Sequence, residues 1–234
     1  MIDGLAGPDE MAQMYPIDTF GRFSERIVES RQIVSDIQKS GDPDARQKSR
    51  KTQKVLRAEA RAAMTAWMGQ TIVRRVDAHV AFRERLAFFW EDHFTATGKG
   101  GLMRRATSPY AETAIRPHLT GYFEELLIAA VTNPLMLHYL DQMQSVGPNS
   151  ERGLASNGRR GLNENLAREI LELHTLGVDG PYTQTDVSEL AKLLTGLYYT
   201  PKQGMFFQEK RAEPGAETVL GVSFGGETPT LQAI

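Results

Sequence analysis

The stretch that decides the fold is NENLAREILELHTLGV, residues 163–178. On a helical wheel of 100° per residue, its apolar side chains share one arc, and His174 lies near the centre of that arc. The apolar residues are Leu166, Ala167, Ile170, Leu171 and Leu173. The charged residues of the opposite side are Glu164, Arg168, Glu169 and Glu172. The stretch therefore predicts a helix with one core face and one charged face.

Apolar residues at helical spacing predict further helices on both sides of this stretch. The predicted helices, including this one, cover about residues 20–37, 44–69, 71–95, 117–131, 135–143, 164–176 and 187–194. Asn133 and Pro134 fit an N-cap and a first helical position, and residues 183–186 resemble a capping box. Residues 145–162 show no apolar period and predict a long loop.

The last part of the chain predicts β-structure. Two short apolar runs, residues 205–210 and 218–222, are separated by Glu213-Pro214-Gly215-Ala216, which fits a tight turn. We therefore expect a mainly α fold, an orthogonal multi-helix array with a short C-terminal β-hairpin. The expected parts are an N-terminal helical segment at 1–42, a helical core at 43–200, and the hairpin with a tail at 201–234.

Composition limits the classes of function. The chain has 234 residues, 41% of them hydrophobic, and its 27 basic and 29 acidic residues give a net charge of −2. That balance argues against a surface built as a whole to attract polyphosphate, and we expect no nucleic-acid partner. Cysteine is absent, which excludes thiolate chemistry. No apolar run approaches the length of a transmembrane helix, and residues 1–8 lack the pattern of a signal peptide.

One stripe of basic residues stands out on the predicted helix at 44–69. We call it the basic row, and it consists of Arg46, Arg50, Lys54, Arg57 and Arg61. It could face an anionic partner. Charged helix flanks are common, so a solvated face with stems that cover apolar surface is the interpretation the sequence favours.

The charged face of residues 163–178 has three interpretations. Glu164, Glu169 and Glu172 could be general acid/base groups or ligands of a divalent metal, with Arg168 orienting an anionic substrate. They could instead form exposed ion pairs along the helix. The interpretation that we favour is a buried strut, in which Arg168 and one carboxylate fix the packing of the helix.

Other side chains could join a site. His93 is predicted to point inward among aromatic residues, and for His93 and His174 alike a hydrogen-bonded core histidine is favoured over a catalytic role. Glu91, His93 and Asp141 are the candidate metal ligands. The candidate anion-binding residues are Arg152, Arg159, Arg160 and Arg168, of which three lie in the loop at 145–162.

Three motifs together resemble a known family. Residues 89–94, the pair Leu140-Asp141 and the 163–178 stretch are similar to the bacterial family called domain of unknown function 1800, over about residues 80–226. The resemblance implies an extracytoplasmic location but names no activity. Members usually extend beyond both ends of this chain, so a fragment or a shortened member is expected.

The resemblance also marks positions where this chain departs from its relatives. Many relatives carry a second histidine at the position of Glu91, a pattern that suggests metal binding. Many also have a His-Asp pair at Ala212 and Glu213 and a lysine at Glu217, so an activity that needs that pair should be absent here.

Two functions from different classes remain. The first is a bacterial helical module, expected to be extracytoplasmic, that binds or assembles with a protein or polymer partner. The second is a metal-assisted or carboxylate-based hydrolase. Its predicted site residues are His93, Asp141, Glu169, Glu172 and His174.

Overall fold

The computed structural model describes Leu5 and residues 7–226, and their fold is mainly α, as predicted. The chain divides into two compact units. The first contains the described residues up to Asp92 together with Thr97–Leu126, and the second contains His93–Ala96 and the chain from Leu127 onward.

Two long helices dominate the first unit. Its α-helices are α1 (Glu10–Met14), α2 (Phe20–Lys39), α3 (Ala45–Asp77), α4 (Ala81–His93, whose last residue belongs to the second unit) and α5 (Thr107–Tyr110). A π-helical turn at Ala111–Ile115 and 3-10 turns at Gly101–Arg105 and Arg116–His118 complete it. Thr19 caps α2 by accepting a hydrogen bond from the Arg22 amide, and Phe23 and Ile27 are buried on its inner face.

The predicted break between residues 69 and 71 is wrong, because α3 continues through Gly69 to Asp77. An isolated glycine costs a helix about 1 kcal/mol. Packing offsets that cost, since Trp67 and Arg74 on either side of Gly69 are buried. The helix ends where Ala78 adopts an extended backbone.

Buried ion pairs connect the elements of the first unit. Arg74 is 2% exposed and donates to Glu112 at 2.7 Å. Arg116 donates to Glu84 and to Asp9, each at 2.8 Å. Removal of one partner from such a pair leaves a buried charge without compensation, so the pairs fix how these helices pack.

The helices of the second unit are short. They are α6 (Phe123–Val131, whose first four residues belong to the first unit), α7 (Pro134–Tyr139), α8 (Glu151–Ala155), α9 (Asn165–Arg168) and α10 (Gln184–Leu193). Asn133 caps α7 with Pro134 as its first residue, and Thr183 and Asp186 form a complete capping box on α10, as predicted. The expectation of an irregular segment at 145–162 is wrong for α8, which Ser150 caps.

The β-structure consists of two hairpins. Strand β1 (Leu197–Thr200) pairs antiparallel with β2 (Gly204–Phe207), and β3 (Gly215–Val219) pairs antiparallel with β4 (Val222–Gly226). The prediction that residues 213–216 turn the hairpin is wrong. The second hairpin turns at Leu220-Gly221, where both residues have positive φ, the backbone that a tight two-residue turn requires. Of the expected tail, residues 227–234 lie outside the described part.

Candidate functional site

The predicted helix at 164–176 changes its winding after one turn. Residues 165–168 form α9, and Glu169–Thr175 continue as a π-helix, with the Leu176 amide donating to the Leu171 carbonyl at 3.0 Å. A π-turn is wider than an α-turn, so a wheel of 100° per residue misplaces the residues that follow it. Leu173 is consequently 54% exposed, and its predicted place in the core is wrong.

His174 is buried, as predicted, with 5% of its surface exposed. Its ring lies against Phe94, with the ring centroids 4.8 Å apart, and its Nδ1 has no hydrogen-bond partner among the described residues. Burial lowers the pKa of His174 to about 4, and the charge of His93 lowers it as well. The imidazole is therefore neutral at pH 7.

His93 lies beside His174. The two ring centroids are 5.4 Å apart, and Nε2 of His93 is 3.3 Å from the main-chain carbonyl oxygen of His174. The ring of His93 also packs edge-on against Phe94 at 4.7 Å. The structure thus brings two of the predicted site residues together in an aromatic setting.

The carboxylates of the same segment form a separate, more exposed network. Arg168 donates to Glu172 at 2.7 Å and to Gln184 at 2.9 Å, and it approaches Glu164 at 3.4 Å. The Arg168 side chain is 42% exposed, so the buried-strut interpretation is wrong and the network is a surface one. Burial, followed by repulsion from Glu172, raises the pKa of Glu169.

The other two candidate metal ligands, Glu91 and Asp141, form contacts with residues other than the two histidines. Glu91 in the first unit pairs with Arg75 at 3.0 Å, and burial raises the pKa of Glu91. Asp141 has a left-handed backbone with φ 57° and accepts a hydrogen bond from Gln144. Among the described residues, no group of three or more His, Asp or Glu side chains is arranged to hold a metal ion.

The loop arginines proposed for anion binding lie at the surface. Arg152 is on α8, Arg159 and Arg160 follow that helix, and all three are exposed. Their role as an anion site stays a prediction.

A buried cluster in the second unit was missed by sequence reasoning. Glu213 and Glu217 are 6% and 5% exposed, and Glu213 accepts a hydrogen bond from the Asn149 amide at 2.9 Å. Burial raises the pKa of Glu217 to about 7, helped by the charges of Glu189 and Glu213, while Lys192 opposes the rise. The sequence signal that could have indicated this cluster is the difference between this chain and many relatives at positions 213 and 217.

The first unit contains an open groove between α2 and α3, with a volume of about 560 Å³. We call it the α2–α3 groove, and its apolar lining includes Phe23, Ile27, Leu56, Ala60, Ala63 and Trp67. Four arginines also line it, namely Arg26, Arg31, Arg57 and Arg105. None of the described residues that line the groove is acidic.

The basic row lies along one edge of this groove. Its five residues fall within about 80° on α3, and Arg57 belongs to both the row and the groove lining. All five are exposed, and none forms an ion pair within Leu5 and residues 7–226. The row is therefore an uncompensated positive face beside an apolar depression.

These features define a mainly helical protein with an apolar, positively bordered groove and a separate histidine pair. The chain belongs to the family described as "Protein of unknown function (DUF1800)", whose model matches residues 8–233. The match confirms the resemblance carried by the 163–178 stretch. No curated protein and no solved structure matches the chain. No helix in the described part is both long and apolar enough to cross a membrane.

Proposed function

We propose that this chain is a bacterial helical module that acts by docking a partner in the α2–α3 groove. The extracytoplasmic location that belongs to this proposal rests on the family resemblance. The observation that carries the proposal is the combination of an apolar lining with arginines and no acidic side chain in the described lining. Sites that bind other molecules are typically concave and mostly apolar, with a few polar groups that fix orientation.

The packing of the first unit supports a groove that exists before a partner arrives. Phe23 and Trp67 are buried at its floor, 5% and 6% exposed, and they contact each other across α2 and α3. Arg74, near the C-terminal end of α3, is held by its buried pair with Glu112. A preformed surface lowers the ordering cost of binding.

An uncharged apolar dye tests this proposal. N-phenyl-1-naphthylamine should bind the protein saturably, with a rise in dye fluorescence. Ala60→Glu places a larger, charged side chain in the groove and should weaken dye binding at least about tenfold, since it fills part of the space and an apolar dye would have to displace water from its carboxylate.

Ala66→Glu is the matched control, because Ala66 is on α3 outside the groove lining. Circular dichroism should show the same helix content in both variants. Equal dye binding by the parent, Ala60→Glu and Ala66→Glu, or no dye binding by the parent, would contradict the proposal.

One observation favours the hydrolase as a second candidate. Glu169 and Glu172 lie three residues apart on a π-helical segment, a feature often found at functional sites, and the pKa of Glu169 is raised as a general acid requires. The hydrolase predicted from the sequence also includes His93, His174 and Asp141, and their part in this site stays a prediction. A panel of nitrophenyl esters and glycosides, with and without added divalent metal, should be hydrolysed by the parent and by Glu209→Gln but not by Glu169→Gln. Absence of turnover by the parent would remove this candidate for those substrate classes.

A further inference from the structure

We infer that the occupant of the α2–α3 groove is an amphipathic α-helix of a partner protein, with acidic residues on both flanks of its apolar face. This inference rests on the proposed function and names the partner of the same groove.

The dimensions of the groove fit a helix. The lining runs along α2 from Phe23 to Gln38, and the fifteen helical steps between these two residues span about 22 Å. A partner helix of about four turns has the same length. Two packed helices leave a depression along their line of contact, and a third helix that fills it completes a three-helix arrangement.

Small side chains of α3 allow a partner helix to approach the groove closely. Ala60 and Ala63 lie three residues apart on α3, on the same side, and both line the groove. Small side chains let neighbouring helices come near the lower end of the usual 8–10 Å interaxial distance. Larger apolar side chains of the partner, spaced at three and four residues, would then contact Leu56 and Trp67.

The arginines that line the groove determine where the partner helix needs acidic residues. Arg31 on α2 and Arg57 on α3 both line the groove, both are exposed, and neither forms an ion pair in the described part of the chain. Arg26 already pairs with Asp18 at 2.7 Å. Because positive side chains come from both helices, a partner helix needs carboxylates on both of its flanks.

One end of the groove has a donor that needs an acceptor. Arg105 Nη1 is buried and has no hydrogen-bond partner among the described residues, although Arg105 lines the groove. Buried polar atoms are nearly always hydrogen-bonded in native proteins. A carboxylate near one end of the partner helix would supply the missing acceptor.

Two designed peptides of about 16 residues test the inference. Both carry the same leucine face at three- and four-residue spacing. One has glutamates on both flanks, and the other has lysine at every glutamate position. A third peptide, with the composition of the first in scrambled order, has no apolar face.

Binding is measured by fluorescence anisotropy of labelled peptide at low and at high salt. The parent should bind the glutamate peptide at least about tenfold more tightly than the lysine peptide, and salt should reduce the difference. In the double variant Arg31→Glu, Arg57→Glu the preference should reverse. The double variant Lys39→Glu, Lys51→Glu makes the same change of charge at exposed positions outside both the groove lining and the basic row, and it should keep the parental preference.

The results separate the inference from the proposed function. Dye binding that Ala60→Glu abolishes, without binding of either designed peptide, overturns the inference and leaves the groove as a binding site. Displacement of the dye by oleate but by neither peptide identifies a small amphiphile and overturns the inference. Self-association that Ala60→Glu abolishes identifies a second copy as the occupant, which also overturns it. Absence of dye and peptide binding overturns both.

Discussion

Phe23 on α2 and Trp67 on α3 contact each other edge to face, with ring centroids 6.5 Å apart and ring planes at 69°. Both rings are buried, and both form the floor of the α2–α3 groove. Such aromatic pairs contribute about 0.5 to 1.5 kcal/mol beyond the area they bury. This contact therefore helps to hold α2 against α3 at the floor of the groove.

Replacement of His174 tests the buried histidine pair. His174→Ala should lower the free energy of unfolding by about 1 to 3 kcal/mol, because it removes ring contacts with Phe94 and His93 from a buried position. The measurement is urea denaturation at pH 7. Leu173→Ala, at an exposed neighbouring position, should change stability by less than about 0.5 kcal/mol. Equal losses in the two variants would contradict the placement of His174.

Glu217 predicts a pH-dependent stability. Its folded pKa of about 7 lies above the ordinary value of 4.5, so the folded state binds this proton more tightly than the unfolded state does. The contribution of Glu217 is therefore most favourable below pH 4.5 and is lost as pH rises to 7. The charged groups that face Glu217 from α10 and from the preceding loop are Glu189, Lys192 and Glu213.

Glu217→Gln removes this titration. The stability of this variant relative to the parent should increase between pH 4.5 and 7, by about 2 kcal/mol in total, because the amide avoids the buried charge. Urea denaturation of both proteins across that range measures the difference. Glu209→Gln, at an exposed position, should show no such trend. A difference that is constant with pH would mean that Glu217 is not buried beside Glu189 and Glu213.

Arg168 should contribute little to stability. Its side chain is 42% exposed and its ion pair with Glu172 joins residues four apart on one helical segment, so Arg168→Met should cost less than about 1 kcal/mol in urea denaturation. Added salt should reduce that loss further, because exposed pairs are screened. A loss of 3 kcal/mol or more would show that the network is buried in solution.

Short-range signals made much of the fold predictable. Asn133 with Pro134, and Thr183 with Asp186, act within their own helix termini, and the structure confirms both. The burial of His174 was also predictable, because it lies near the centre of the predicted apolar arc, where an angular error of the wheel still leaves it inside, whereas Leu173 lies at the edge of that arc. Leu173 was not, since the change from α to π winding leaves no clear trace in the residue pattern.

Features that depend on contacts between distant parts of the chain could not be predicted from the local sequence. The second hairpin turns at Leu220-Gly221, and a leucine with positive φ is held there by strand pairing rather than by its own preference. The groove depends on how α2 packs against α3, which no local pattern specifies. Buried Glu217 was unexpected because a lone glutamate usually indicates an exposed position.

Protection of single cysteines by the glutamate peptide tests the central claim most directly. The natural sequence has no cysteine, so one placed by Ser30→Cys reports only on the groove lining, and one placed by Ala66→Cys reports on α3 outside it. A saturating amount of the glutamate peptide should slow alkylation at position 30 at least about tenfold and leave position 66 nearly unchanged, because a bound helix covers the groove. Equal rates with and without peptide at position 30, or equal protection at both positions, would contradict docking in the α2–α3 groove.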